Sequence, residues 1–281
     1  MTIKEIECKS ILVKSKLPDA EYVVNPYTGC AFGCLYCYAS FMGRFVNERI
    51  DNWGNYIYAK VNAVSVFEQD LIRLRRSDKA PSVLLSSVTD PYQGAETKYR
   101  LTRGILEVFA RAPYPGVVSI LTKSPLVLRD VDLLRRLPRA EVGMTITTTD
   151  DKISRFLEVR APLASRRFET LAELHAQGLT TYAFVGPLLP HFRYNEKGLD
   201  SLFGELAHAH VGSIYVEHMN LKPYIRERLF PIVEQEPANV QAEYRGAARA
   251  EHRDALNQMV VSLLARYDLK LRFNKVLYHN N

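Results

Sequence analysis

The sequence lacks the features that mark membrane, secreted or disordered proteins. It has no run of apolar residues approaching the ~18 that a bilayer-crossing helix needs, so no membrane partner is expected. The opening stretch, MTIKEIECKSILVKSKLPDA, is charged throughout and has neither the apolar core nor the small-residue cleavage site of a secretory leader, which makes a cytoplasmic location the expectation. Cysteine is scarce, with four in 281 residues. In a reducing compartment, so few cysteines placed so unevenly argue for metal binding or redox chemistry over a disulfide framework. No Pro-, Gly- or Ser-rich linker and no low-complexity tract interrupts the chain, so a single domain with an extension is expected.

What is present suffices for a large core. Hydrophobic residues make up 47% of the chain, enough for one α/β domain of the larger kind or two small ones. Lys and Arg number 37 against 31 Asp and Glu, a net charge of +6, which suits an anionic partner without identifying one. The basic stretches RLRRSDK (73–79) and RRLPR (135–139) each close an apparent amphipathic helix, where cations also complement the helix dipole, so the first reading is a solvated face.

Short β-branched runs alternate with helical patterns, the signature of βαβ units and a mainly parallel sheet. Strands are expected at 82–88, 117–123, 142–149, 181–186 and 213–219, with another in EYVVNPYTG before the cysteines. Between them TRGILEVFARA, PLVLRDVDLLRRL, ASRRFETLAELHAQ and GLDSLFGELAHA space their apolar residues as helices packed on a sheet do. About six such repeats are too few to close an eight-unit barrel. The rhythm lapses at 41–61, which is aromatic and irregular, and beyond 220, where a long helix over about 240–266 and an edge strand in LKLRFN are expected.

The stretch NPYTGCAFGCLYCYAS, residues 25–40, holds Cys30, Cys34 and Cys37, with Tyr36 and Tyr38 on either side of the last. A structural zinc site takes four ligands, and the chain offers only Cys8 as a further thiolate and no histidine within a hundred residues downstream. A cubane iron–sulfur cluster also takes four, but three protein ligands leave one iron open, and an open iron implies chemistry. Gly29 and Gly33 permit positive φ and close backbone approach, free N–H groups in the loop can reach cluster sulfurs, and Pro26 stiffens the entry. Cys8, far upstream, is read as a small packed hydrophobe.

CAFGCLYC resembles the CxxxCxxC signature of the radical S-adenosylmethionine (radical SAM) superfamily. The resemblance implies that Cys30, Cys34 and Cys37 hold a 4Fe-4S cluster and that S-adenosyl-L-methionine chelates the fourth iron. It also implies that one electron from a reductant such as a flavodoxin or ferredoxin releases a 5′-deoxyadenosyl radical that abstracts hydrogen from substrate. The fold implied is a partial (β/α)6 barrel with the cysteines in the loop after the first strand, here residues 1–220, with 221–281 as an extension packed on it. Within the superfamily, residues 10 to 220 resemble spore photoproduct lyase-like proteins through KSKLPDAEYVVNPYTGCAFGCLYCYA, SSVTDPYQGAE, LTKSP and EVRAP. In that lyase, tyrosines flank the third cluster cysteine and one relays hydrogen atoms with a fourth cysteine near the end of the second strand, which marks Tyr36 and Tyr38 as catalytic candidates. This sequence departs there, reading LLSSVTD with Ser87 at the thiol's place. A serine O–H is too strong a bond to quench a carbon radical as S–H does.

Further candidates stand at strand ends, where parallel sheets place their ligands. The resemblance suggests Asp90, beside Thr89, as acceptor for the methionine ammonium, against an alternative as helix cap or turn residue. Lys123 ends the third strand, where an unpaired cation is costly and a carboxylate of the cofactor is a natural partner. The threonines at 145, 147 and 149 line one strand face, with Thr147 the candidate toward adenosine. Arg160 in EVRAP resembles an arginine aimed at the cofactor, against a surface ion pair with Glu158. Tyr36 either lies against cluster or adenine or shields the cluster. Glu217 and Asn220 end the last strand where substrate could sit. Three classes stay open: a radical SAM enzyme of lyase or transferase type, an electron-transfer cluster protein, and a zinc module recruiting Cys8. A small-molecule substrate or modified metabolite is favoured over DNA, for which the net charge, the likeness and the aromatic insert speak. The sequence leaves the oligomeric state open.

Overall fold

The computed structural model describes residues 1–75, 80–111 and 114–278. Positions 76–79 of the first basic stretch therefore lie outside the described residues. The fold is α/β, a half-barrel sheet of mostly parallel strands, as the repeat pattern predicts. The chain divides into two compact units whose boundary runs through the cysteine motif: residues 1–33, 39–143 and 176–180 form the first, and 34–38, 144–175 and 181–281 the second.

In the first unit, β1 (Thr2–Ile6) pairs parallel with β5 (Tyr56–Lys60), which pairs antiparallel with the short β4 (Tyr27–Thr28). The larger sheet begins with β2 (Leu12–Leu17) antiparallel to β3 (Ala20–Val24). From β3 the order runs parallel through β6 (Val83–Leu85) to β7 (Val118–Thr122). The expected strand over EYVVNPYTG is thus two strands in different sheets. Pro26, which has no N–H for a ladder, sits at the break, and Lys60 Nζ donates to the Asn25 carbonyl at 2.7 Å there. The insert is irregular over 38–52, mostly 3₁₀ helix, but 56–60 forms β5, a strand the sequence pattern does not announce. Helix α1 (Ala63–Arg75) packs into the unit's core through Phe67, whose ring meets Phe109 of α3 (Leu101–Arg111) edge-on at 4.8 Å. Between β6 and α3 lies the one-turn α2 (Glu96–Tyr99). The helix expected over 125–137 opens as a 3₁₀ segment, Pro125–Asp130, capped by the Ser124 side chain, and only Val131–Leu134 is α-helical (α4).

Strand β8 (Ala140–Thr145) is shared between the units and stops short of the predicted 149, although Thr147 and Thr148 stay buried. In the second unit β9 (Thr180–Leu188) pairs parallel with β10 (Ser213–His218). Helices α6 (Ala164–Ala176) and α7 (Glu196–His208) follow the expected periodicity, and α5 (Asp151–Glu158) before them is a helix the sequence pattern does not announce. Beyond β10 the chain forms α8 (Pro223–Val233), then α9 (Ala238–Gly246) and α10 (Ala250–Tyr267) in place of one long helix, because Arg249 turns to extended φ/ψ between them. The expected edge strand reduces to two parallel bridges, Ile214 to Leu271 and Glu217 to Leu277, since Phe273 and Asn274 adopt positive φ between them. Among the described residues no helix is long and apolar enough to cross a membrane.

Candidate active site

The cysteine loop is built in two halves, each held by side chains of its own unit. In the first half, Gly29 has φ +88°, and a Cβ there would stand 2.4 Å from the Tyr56 carbonyl oxygen, so the position admits only glycine. Gln93, fully buried, brackets Cys30: its Nε2 donates to the Gly29 carbonyl at 3.2 Å and its Oε1 accepts from the Ala31 N–H at 2.8 Å. Thr89 Oγ1 donates to the same carbonyl at 2.6 Å and accepts from Gln93 at 2.9 Å. Gln93→Leu removes all three bonds and leaves the Ala31 N–H and a Gly29 lone pair buried. It is expected to destabilise the chain by about 1–3 kcal/mol in urea unfolding.

In the second half the Leu35 N–H donates to the Leu157 carbonyl at 2.9 Å, docking the loop on α5. The Tyr36 phenol reaches Glu158, donating to Oε1, while Oε2 of the same carboxylate accepts from Ser154 Oγ at 3.2 Å and pairs with Arg167. Ser154 and Glu158 are four apart on α5, capped at its start by Asp150, so both face inward from one side of the helix. Arg167 is 0% exposed and Glu158 1%. The guanidinium also donates to the Thr145 carbonyl at 3.0 Å and from Nε to the Pro162 carbonyl at 2.9 Å. Burial, the largest single influence, opposes the charge on Arg167, and Glu158 leads the neighbouring groups that together hold its proton affinity above the ordinary value. Burial first, and then the Glu158 carboxylate, push the Tyr36 phenol well above its usual range, so it stays a neutral donor. From α8, Arg228 Nη2 donates to the Cys34 carbonyl at 2.9 Å and the Tyr224 hydroxyl to the Tyr38 carbonyl at 3.1 Å. Cys30 and Cys34 are buried, Cys37 is half-buried, and no disulfide joins them.

The other predicted residues divide. Asp90 is buried and its carboxylate accepts from Thr122 Oγ1 at 2.7 Å, the Tyr92 N–H at 2.9 Å and the Lys123 N–H at 2.8 Å. Burial raises its carboxyl and these donors counter it. These bonds tie the turn at Asp90 to the end of β7. Lys123 follows β7 directly. Ser87 presents its N–H to Asn25 Oδ1 at 2.9 Å. Arg160 is exposed just past α5, and Glu158, read from sequence as its surface partner, is instead buried. Tyr38 is 42% exposed, in contrast to Tyr36. Glu217 and Asn220 are half-buried at the end of β10, and Asn220 Oδ1 accepts from the Lys222 N–H at 3.1 Å before α8 begins. Cys8 is not packed as a hydrophobe: its thiol donates to Asn62 Oδ1 at 3.4 Å, its N–H and carbonyl bond the same side chain at 2.9 Å, and burial pushes the thiol's pKa up.

The family model of the radical SAM superfamily matches residues 24–198, which begins at the end of β3 and takes in the cysteine loop. The chain belongs to the radical SAM superfamily. An uncharacterized protein of Methanocaldococcus jannaschii is 34% identical over 220 residues, 78% of each chain. A radical SAM Nalpha-GlyT isomerase of Pseudomonas phage M6 is 27% identical over 60% of this chain and 33% of its own. Among solved structures, spore photoproduct lyase complexed with dinucleoside spore photoproduct superposes with a TM-score of 0.70 at 16% identity, covering 98% of this chain and 81% of that one. Streptococcus suis SuiB bound to S-adenosylmethionine gives 0.57 at 12% identity, over 92% of this chain and 47% of that one. These last two likenesses concern the fold.

As a radical SAM enzyme the protein uses a 4Fe-4S cluster and S-adenosylmethionine and needs a reductant. The residues present fit those groups. Three cysteines lie in loop segments where the Ala31 and Leu35 N–H groups and the Gly29 and Cys34 carbonyls are held by protein partners, so the backbone that carries the thiols is fixed. Beyond β8, the Thr147 hydroxyl is fully buried and has no hydrogen-bond partner among the described residues, an orphan of the kind a bound polar ligand satisfies. Gln93, Glu158, Arg167, Tyr224 and Arg228 were not singled out as site residues from the sequence. Arg167 had a readable signal, because it falls on the apolar stripe of α6 with Ala164, Leu171 and Leu174, where a cation stays only if paired.

Proposed function

We propose that Cys30, Cys34 and Cys37 hold the cluster, and that this radical SAM enzyme acts on a small molecule or modified metabolite. The observation that carries the proposal is the cysteine loop, with both halves fixed through their backbone by buried or half-buried side chains. When bound, cluster and cofactor together supply a carbon-centred radical by one-electron cleavage of the sulfonium. The chain's own residues position and shield. Lys123 would hold the cofactor carboxylate by a charge-assisted bond and Thr147 a polar group of the nucleoside. Tyr36, with its hydroxyl bound to Glu158, shields and orients the loop, while Tyr38, exposed, is the tyrosine able to meet substrate. Arg160, at the surface, is the weakest of the cofactor candidates. The expected test is anaerobic incubation of reduced protein with S-adenosylmethionine. Mass spectrometry should find 5′-deoxyadenosine, slowly formed even without substrate, and Lys123→Ala should weaken cofactor binding by about 1.5–3 kcal/mol. Absence of any cleavage product would favour an electron-transfer role.

A nucleic-acid reading is favoured by one observation, the structural neighbour complexed with dinucleoside spore photoproduct. Against it, one cation of each basic stretch is engaged within its own unit: Arg73 pairs with Asp70, and Arg136 donates to the Ala110 carbonyl. The two readings differ in salt response, since a DNA enzyme loses affinity steeply with salt, with a log–log slope of about −0.9 per phosphate contact. Tight, steeply salt-dependent duplex binding would replace the small-molecule reading.

A further inference from the structure

Helix α8 lies outside the matched family region, yet it sends two side chains to the cysteine loop. Pro223 opens the helix, and Ile225, Leu229 and Val233, four apart, bury its inner stripe. Tyr224 and Arg228 form the parallel row beside that stripe, so they emerge from one helix face a turn apart. Arg228 donates to the carbonyl of Cys34 and Tyr224 to that of Tyr38. The helix therefore runs antiparallel to the loop segment and grips it at both ends, with Cys34 at one end and Cys37 just inside the other. Between the grips, Tyr36 is fixed through Glu158 and Leu35 through Leu157.

We infer that α8 is a clamp on the segment carrying two of the three cluster cysteines, and that Arg228 is a positioning residue whose charge sets how readily the cluster accepts an electron. This rests on the proposal that Cys34 and Cys37 are ligands. The physics has two parts. A guanidinium is cationic at every relevant pH and delivers its hydrogen bond in a fixed fork, so it holds the Cys34 carbonyl in one direction and with it the start of the turn to Cys37. Its charge stands one residue's backbone from a thiolate, in a partly buried setting where screening is weak. Reducing the cluster adds one negative charge, which a nearby cation favours, and hydrogen bonding and charge around ligating sulfurs are the protein's means of setting potential. Tyr224 is neutral, so it supplies hold without charge.

The two side chains should therefore separate in experiment. In anaerobically reconstituted protein, Arg228→Gln should make the cluster about tenfold harder to reduce, a downward shift of about 59 mV in a one-electron titration followed by electron paramagnetic resonance. Arg228→Lys, which keeps the charge, should restore most of the potential. Tyr224→Phe should leave the potential in place but raise amide hydrogen exchange over residues 34–38 and speed iron loss to a chelator severalfold. Loss of the cluster in Arg228→Gln that Arg228→Lys repairs also supports the inference. An unchanged potential in Arg228→Gln with full iron, or loss of the cluster in both Arg228 variants, overturns it. Wild-type protein that assembles no cluster would instead overturn the ligand assignment, so the two failures are distinguishable.

Discussion

Alanine at Cys30, Cys34 or Cys37 is expected to bring iron after anaerobic reconstitution down to background, whereas Cys8→Ala keeps the wild-type content. The asymmetry follows from surroundings more than from spacing. Cys8 is spoken for: Asn62 bonds its thiol, its N–H and its carbonyl, and burial holds the thiol in its protonated form, the form that does not ligate metal. The segments around the three loop cysteines have their backbones bound by Gln93, Thr89, Arg228 and the Leu157 carbonyl, which fixes where the sulfurs project. A cluster with three protein ligands has none to spare, so each alanine should act alike. Elemental analysis and Mössbauer spectroscopy read the result, and normal iron in Cys34→Ala would overturn the assignment.

How much of this was legible in the sequence depends on whether a pattern is local. The βαβ rhythm predicts β6, β7, β9 and β10 because parallel strands buried by helices keep continuous apolar runs, such as VSILT. It does not announce β5, whose partners β1 and β4 come from distant parts of the chain. A pair of bridges at Leu271 and Leu277 is likewise set by pairing with β10, which no single-strand pattern encodes. The cysteine loop was visible because its spacing is the signal. Its supports were not, because Gln93 and Arg228 lie 62 and 194 residues from the atoms they bind, and only folding brings them there. Asp90 shows the same limit: a carboxylate at a strand end reads as a ligand or a turn residue in one dimension, and its three protein donors become visible only in three.

Arg167→Met is expected to cost about 3–5 kcal/mol of stability, the usual penalty for leaving one member of a buried ion pair behind. The change strands Glu158, almost wholly buried, without its cation, and removes the donor to the carbonyls of Thr145 and Pro162. It thereby loosens β8, the turn after α5 and, through Tyr36, the cysteine loop. Arg167→Lys should rescue little, since an ammonium is a point charge and cannot reach Glu158 and two carbonyls together. The informative variant is the double, Arg167→Met with Glu158→Gln. Its neutral amide still accepts from Tyr36 and carries no charge needing a partner, so it should regain about 1–3 kcal/mol relative to Arg167→Met alone. Urea unfolding followed by circular dichroism, at equal iron content so that metal binding does not differ, measures all four corners of the cycle. If Arg167→Met lies within about 1 kcal/mol of wild type, the buried pair is not what holds this part of the second unit. If the double variant is no better than the single, the loss comes from the two carbonyls and not from the stranded carboxylate.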